Sequence, residues 1–158
     1  MWELSNRGDA SVVPLADRHY NRQHIGSPQF APPGRAFVLA TPDRGAFWIT
    51  SWPFAQYVKH AWAGAWVNSA FRRESGPLAS DMIRAAVAAT RWKWPEVPAL
   101  GMITFIKRDK VRKKRDFGRC YLRAGFKVCG ETKGGLLALQ LLPADMPAAH
   151  APLGVLAL

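Results

Sequence analysis

The stretch of this chain best suited to chemistry is Tyr121-Leu-Arg-Ala-Gly-Phe126, whose tyrosine follows a dense basic run by six residues. That run, Lys107-Arg-Asp-Lys-Val-Arg-Lys-Lys-Arg115, has seven basic residues in nine and a formal charge of +6, seven Lys or Arg less Asp109. This is more than half of the net charge of +11. Charge so concentrated favours a polyanion, because each cation placed on a phosphate releases a condensed counterion. Lys107, Arg108, Lys110, Arg112, Lys113, Lys114 and Arg115 are the candidate nucleic-acid contacts, extended by Arg119, Arg123 and Lys127. A solvated loop is the plain alternative. Tyr121 adds chemistry, since a phenol can hand a proton to a leaving group. It is equally an amphipathic ring that fits a helix–sheet seam.

Two residues could take a proton from an attacking amine. Histidine's ordinary pKa of ~6.5 suits that task near neutral pH, which singles out His19, with Asp17 or Asp116 to orient its ring. Glu74 is the rival, although a carboxylate ahead of a helix is also explained by the helix dipole. His19 and His24 make a poor metal pair, and Cys120 and Cys129 lack CxxC spacing, so buried thiols and no metal are expected. Trp48, Trp52, Trp62 and Trp66 read mainly as core. One of them, or Phe30 or Tyr57, could stack on an extruded base.

The elements that must position these residues follow from patterning. At 158 residues, with 49% hydrophobic content, the chain predicts one domain over 1–158 with a peripheral C-terminal arm over 143–158. No apolar run approaches the ~20 residues that span a bilayer, and the N-terminus lacks a secretory pattern. Two cysteines alone suggest reduced thiols, so a cytoplasmic protein without a membrane partner is expected. Trp2 to Leu4 reads as a strand, and Ala10 to Arg22 as a helix starting near Pro14. A Gly/Pro-rich loop follows over 25–34. Strands over 35–41 and 46–52 flank the turn Pro42-Asp-Arg-Gly45, and a further strand covers 65–72. Pro77 opens a long helix that Trp94-Pro95 ends. Leu100 to Ile106 is a strand, Asp116 caps a short helix over 117–124, and Gly125 stops it. Strands over 126–132 and 135–142 close the chain. A strand–helix–strand unit among hairpin-linked strands predicts an α+β fold: a mixed, mostly antiparallel sheet, a parallel pair at its centre and helices on both faces.

That element order, with Tyr121-Leu-Arg-Ala-Gly-Phe126, resembles the GNAT family of N-acetyltransferases over about residues 35–142. In that family a Tyr-x-x-x-Gly-Phe helix follows the fifth strand, and its tyrosine protonates the departing thiolate of coenzyme A. The resemblance gives that role to Tyr121. It also implies a pyrophosphate cradle between the fourth strand and the long helix, here Arg73-Glu-Ser-Gly-Pro-Leu78. Arg72, Arg73, Ser75, Gly76 and Leu78 are then the candidate contacts to acetyl-CoA or another acyl-CoA, with Pro77 and Leu78 departing from the family pattern. A narrower resemblance is to the phage-associated branch containing the Mom DNA-modification protein of bacteriophage Mu. Members carry His-Tyr on the first helix, here His19-Tyr20, and an aspartate before the tyrosine helix, here Asp116. The resemblance implies acyl-type modification of a base in duplex DNA, flipped or hypermodified. The alternatives are an acetyltransferase for small-molecule or protein amines, and a non-catalytic DNA-binding protein.

Overall fold

The computed structural model describes residues 1–19, 22, 24–107 and 118–155. Seven strands form one sheet in the order β1-β2-β3-β4-β5-β7-β6. They are β1 (Glu3–Leu4), β2 (Ala36–Ala40), β3 (Ala46–Ser51), β4 (Trp66–Arg73), β5 (Met102–Ile106), β6 (Lys127–Glu131) and β7 (Leu137–Leu141). Among the described residues three α-helices accompany them: α1 (Val13–Asp17), α2 (Ala79–Lys93) and α3 (Arg119–Arg123). Only β4 and β5 pair in parallel among the named strands, since the α2 crossover carries the chain back to its starting edge. The predicted mixed α+β sheet with a central parallel pair is the architecture observed.

The β2–β3 hairpin closes as its residues demand. The Asp43 carboxylate accepts from the Gly45 N–H at 2.9 Å and the Thr41 hydroxyl at 2.9 Å, fastening the turn. Gly45 is required for proximity: a Cβ there would lie 2.1 Å from the Ser75 hydroxyl oxygen. Alternation along the strands divides the apolar side chains between two faces. Trp48, Trp66, Met102 and Phe126 pack against Met82 and Ile83 of α2 on one face, whereas Val38, Phe47 and Ile49 pack against Val12 and Leu15 of the α1 segment on the other. Helices therefore cover both faces.

Three boundaries differ from expectation. Helix α1 begins at Val13, beside Pro14 as expected, but ends at Asp17 rather than Arg22. The Asp17 carboxylate accepts from the Gly26 N–H and the Arg22 guanidinium, which folds the chain back instead of continuing the helix. Helix α2 starts one residue beyond Leu78, so Pro77 precedes its cap. Helix α3 is capped by Gly118 rather than by Asp116, which lies outside the described residues. Gly118 sits at φ 69°, and a Cβ there would fall 2.4 Å from Ile106 Cδ1, so any other residue would be strained and would push Ile106 and Leu139 aside. The C-terminal segment lies along α2 and reaches β1, with the His150 N–H donating to Ala88 O and the Leu153 N–H to Trp2 O.

Among the described residues, the Trp66 indole N–H is a buried donor with no acceptor. Leaving such a donor unpaired costs about 1–3 kcal/mol, close to the packing lost when an indole shrinks to a phenyl ring. Trp66→Phe should therefore change the unfolding free energy by less than about 1 kcal/mol, measured by urea titration. Trp48→Phe should cost more, because the Trp48 indole donates to Thr50 at 2.7 Å.

Candidate active site

Strand β4 is bulged where it matters. Ile49 pairs with Ala70 but Thr50 pairs with Asn68, so Ser69 is the extra residue. The bulge turns Ser69 and Ala70 to the α1 face and leaves Asn68 on the α2 face. Pairing between β4 and β5 stops at Asn68–Thr104, although β4 runs to Arg73 and β5 to Ile106. The two central strands therefore part immediately beyond Asn68.

Tyr121 sits at that parting. Its hydroxyl donates to Asn68 Oδ1 at 2.5 Å, and Thr104 Oγ1 donates toward the same oxygen at 3.2 Å. Asn68 Nδ2 in turn donates to the carbonyls of Ile49 and Ala70, at 3.1 and 3.0 Å. Two donors on one side and two carbonyls on the other admit a single orientation of the amide. The tyrosine ring is wedged edge-on between Phe71 and Phe126, with centroids at 6.4 and 5.4 Å. Gly125, at φ 105°, ends α3 so that Phe126 can enter the core beside it. Tyr121 is thus a partly buried phenol of fixed direction at a gap in the sheet.

His19 occupies the opposite face. It is buried, and its ring meets Phe47 edge-on at 6.2 Å. With Arg22, His24, Gln29, Phe30 and Ser69 it surrounds a cavity of about 510 Å³ floored by Phe47, Ile49 and Ala70. That volume is in the range of small-ligand sites. Ser69 in the cavity wall and Asn68, which holds Tyr121, are consecutive residues with Cα atoms ~3.8 Å apart. The cavity and the tyrosine are therefore separated by the thickness of one strand. Phe30, a candidate base-stacking ring, lines this cavity. Trp48 and Trp66 are fully buried core instead. Tyr20 and Asp116 lie outside the described residues, and Asp17 serves its own loop through Arg22 and Gly26.

Glu74 does not fit the role of a general base. Its two oxygens accept from Arg18 at 2.6 and 2.7 Å and from Arg72 at 2.7 Å. The Arg18 hydrogen bonds first, then those of Arg72, lower its pKa to about 2. A carboxylate so stabilised has little affinity for a proton at neutral pH. The group is a clamp that ties the end of α1 to the end of β4, and Arg72 completes it by donating to Arg18 O at 2.8 Å. Because the folded-state pKa is depressed, the clamp's contribution is complete above the unfolded carboxylate pKa of ~4.3 and disappears as pH falls through about 2. The thermal midpoint should therefore fall over that acid window, and Glu74→Gln should remove part of the fall in a melting series.

The expected donor cradle is partly occupied by the protein itself. The amides of Glu74 and Ser75 both donate to Gly45 O, and Pro77 has no N–H. The Arg73 guanidinium turns inward onto Pro77 O and Gly76 O, at 2.6 and 2.8 Å. At the start of α2, Leu78 provides no side-chain cap. The amides of Ala79, Ser80 and Asp81 have no hydrogen-bond partner among the described residues. Such a turn can hold one phosphate, although the Asp81 carboxylate beside it opposes a second. The first turn of α2, rather than the loop before it, is what leaves amides open to a single phosphate.

Of the candidate nucleic-acid contacts, Lys107 is exposed at the end of β5 and Arg119 lies in the first turn of α3. Arg108, Lys110, Arg112, Lys113, Lys114 and Arg115 lie outside the described residues. Burial pushes both cysteine thiols above their ordinary range. No group of three metal-ligating side chains gathers among the described residues. No described helix is long and apolar enough to cross a membrane. Asn68 was not among the residues singled out from sequence, yet it organises the site. Comparison with family models, curated proteins and solved structures found no match to the chain.

Proposed function

We propose that this protein is an acyltransferase that moves an acyl group from an acyl-CoA thioester to an amine on a nucleobase of DNA. The observation that carries this reading is Tyr121, a phenol oriented by Asn68 where β4 and β5 separate. The element order, with a single parallel β4–β5 pair in an otherwise antiparallel sheet, agrees with the fold that the GNAT resemblance implies, and the tyrosine's role is taken from that resemblance. The donor supplies an activated carbonyl. The first turn of α2 would hold its phosphate, and Tyr121 holds a proton for the departing sulfur. The α1-face cavity receives the amine-bearing group beside the Phe30 and Phe47 rings, which touch edge-on, and His19 takes the proton that the amine loses. A net charge of +11 and the run from Lys107 to Arg115 support DNA as the acceptor.

A small-molecule amine is the second reading, favoured by a cavity that is large enough to enclose one. Both are tested by incubating the purified protein with acyl-labelled acetyl-CoA and either duplex DNA or a panel of polyamines and lysine peptides. Label transferred to DNA supports the first reading. Label transferred only to the amines supports the second. No transfer to any acceptor, with no thermal shift by millimolar acetyl-CoA, contradicts both.

A further inference from the structure

Phe54 and Tyr57 are the exposed aromatic side chains among the described residues, at 57% and 74%. They bracket a single 3-10 turn over Ala55–Tyr57, closed by the Tyr57 N–H donating to Phe54 O at 3.0 Å. Phe54 stands extended at the N-cap and Tyr57 ends the turn, and both rings face solvent. The turn is held from behind. The Arg35 guanidinium lies between the Trp52 ring, at 4.5 Å, and the Phe54 ring, at 4.7 Å. Its Nε donates to Trp52 O at 2.9 Å, which leaves the outer guanidinium nitrogens without a partner among the described residues. Lys59 is exposed two residues beyond the turn. No acidic residue occurs between Asp43 and Glu74. The end of α2 packs on this region through Trp94 against Trp52, and the Lys93 and Glu96 it brings cancel in charge.

Two exposed rings beside a guanidinium with its outer nitrogens unbonded among the described residues and a lysine, with no anion on their own segment, match the requirements for unpaired bases and their phosphates. We propose that Phe54 and Tyr57, with Arg35 and Lys59, form a stacking platform for a single-stranded stretch of nucleic acid. This rests on the DNA reading given above but not on its acyl chemistry. Strand directions place the platform at the end of the sheet opposite Lys107. With a five-residue β5 between them, the two are separated by roughly 17 Å. The platform is therefore a contact distinct from Lys107.

The test is fluorescence anisotropy of a labelled oligothymidylate, and of a duplex of equal length, titrated with the full chain at two salt concentrations. Phe54→Ala/Tyr57→Ala should weaken single-strand binding about tenfold or more, with the salt slope unchanged because no phosphate contact is lost. Phe54→Trp/Tyr57→Trp should restore it. Both side chains are exposed, so the variants keep the core, and matched melting curves confirm this. Wild-type affinity in the alanine variant overturns the platform, as does absence of single-strand binding by the wild type. If the variant's only change is loss of self-association, a protein partner replaces nucleic acid and the proposal falls. Tyr121→Phe should bind as wild type, so failed chemistry and a failed platform are read separately.

Discussion

Tyr121→Phe should lower the turnover of acyl transfer by about 10²–10⁴-fold while leaving the fold and the donor KM nearly unchanged. The phenyl ring keeps its edge-on contacts with Phe71 and Phe126. The hydroxyl's hydrogen bond to Asn68 is lost, but Thr104 still donates to that oxygen, so the stability cost is about 1 kcal/mol. A turnover loss with unchanged KM assigns the hydroxyl to the transition state. A raised KM with normal turnover would make it a binding group instead. Steady-state kinetics of the purified variant decide between these.

Asn68→Leu should be the most destabilising substitution at the site, costing about 2–5 kcal/mol in urea unfolding. The side chain is 4% exposed and joins four partners: the carbonyls of Ile49 and Ala70, Thr104 and Tyr121. Leucine satisfies none of them, and the β4 bulge loses the amide that bridges it. Thr104→Val should cost only about 1 kcal/mol, since Tyr121 still occupies the same oxygen. If the two variants are equally stable, Asn68 does not organise the site.

The parts of this structure that could be read from sequence are those fixed by local chemistry. The turn at Asp43-Arg-Gly45 and the strands beside it follow from residues within a few positions of one another. The parallel pair follows from a helix standing between two strands. Tyr121 was legible because Gly125 and Phe126 mark the end of its helix. Asn68 does carry a signal in the sequence: strands disfavour asparagine, and one sits in the middle of Trp66–Phe71. What could not be read was convergence. Tyr121 is 53 residues from Asn68, and Arg18 is 56 residues from Glu74. Sequence alone therefore leaves Glu74 an available base, whereas the fold places the Arg18 and Arg72 guanidinium groups on it. The length of α1 failed for a related reason, since Asp17 bonds to Gly26 across a loop whose path no periodicity records.

The central claim is that Tyr121 serves a reaction on DNA. Mass spectrometry of nucleosides from cells expressing the protein, compared with cells expressing Tyr121→Phe, tests it most directly. The account predicts an acylated nucleoside in the wild-type sample that is missing or strongly reduced in the variant. Identical nucleoside profiles, on ordinary DNA and on DNA carrying aminated bases, would contradict it.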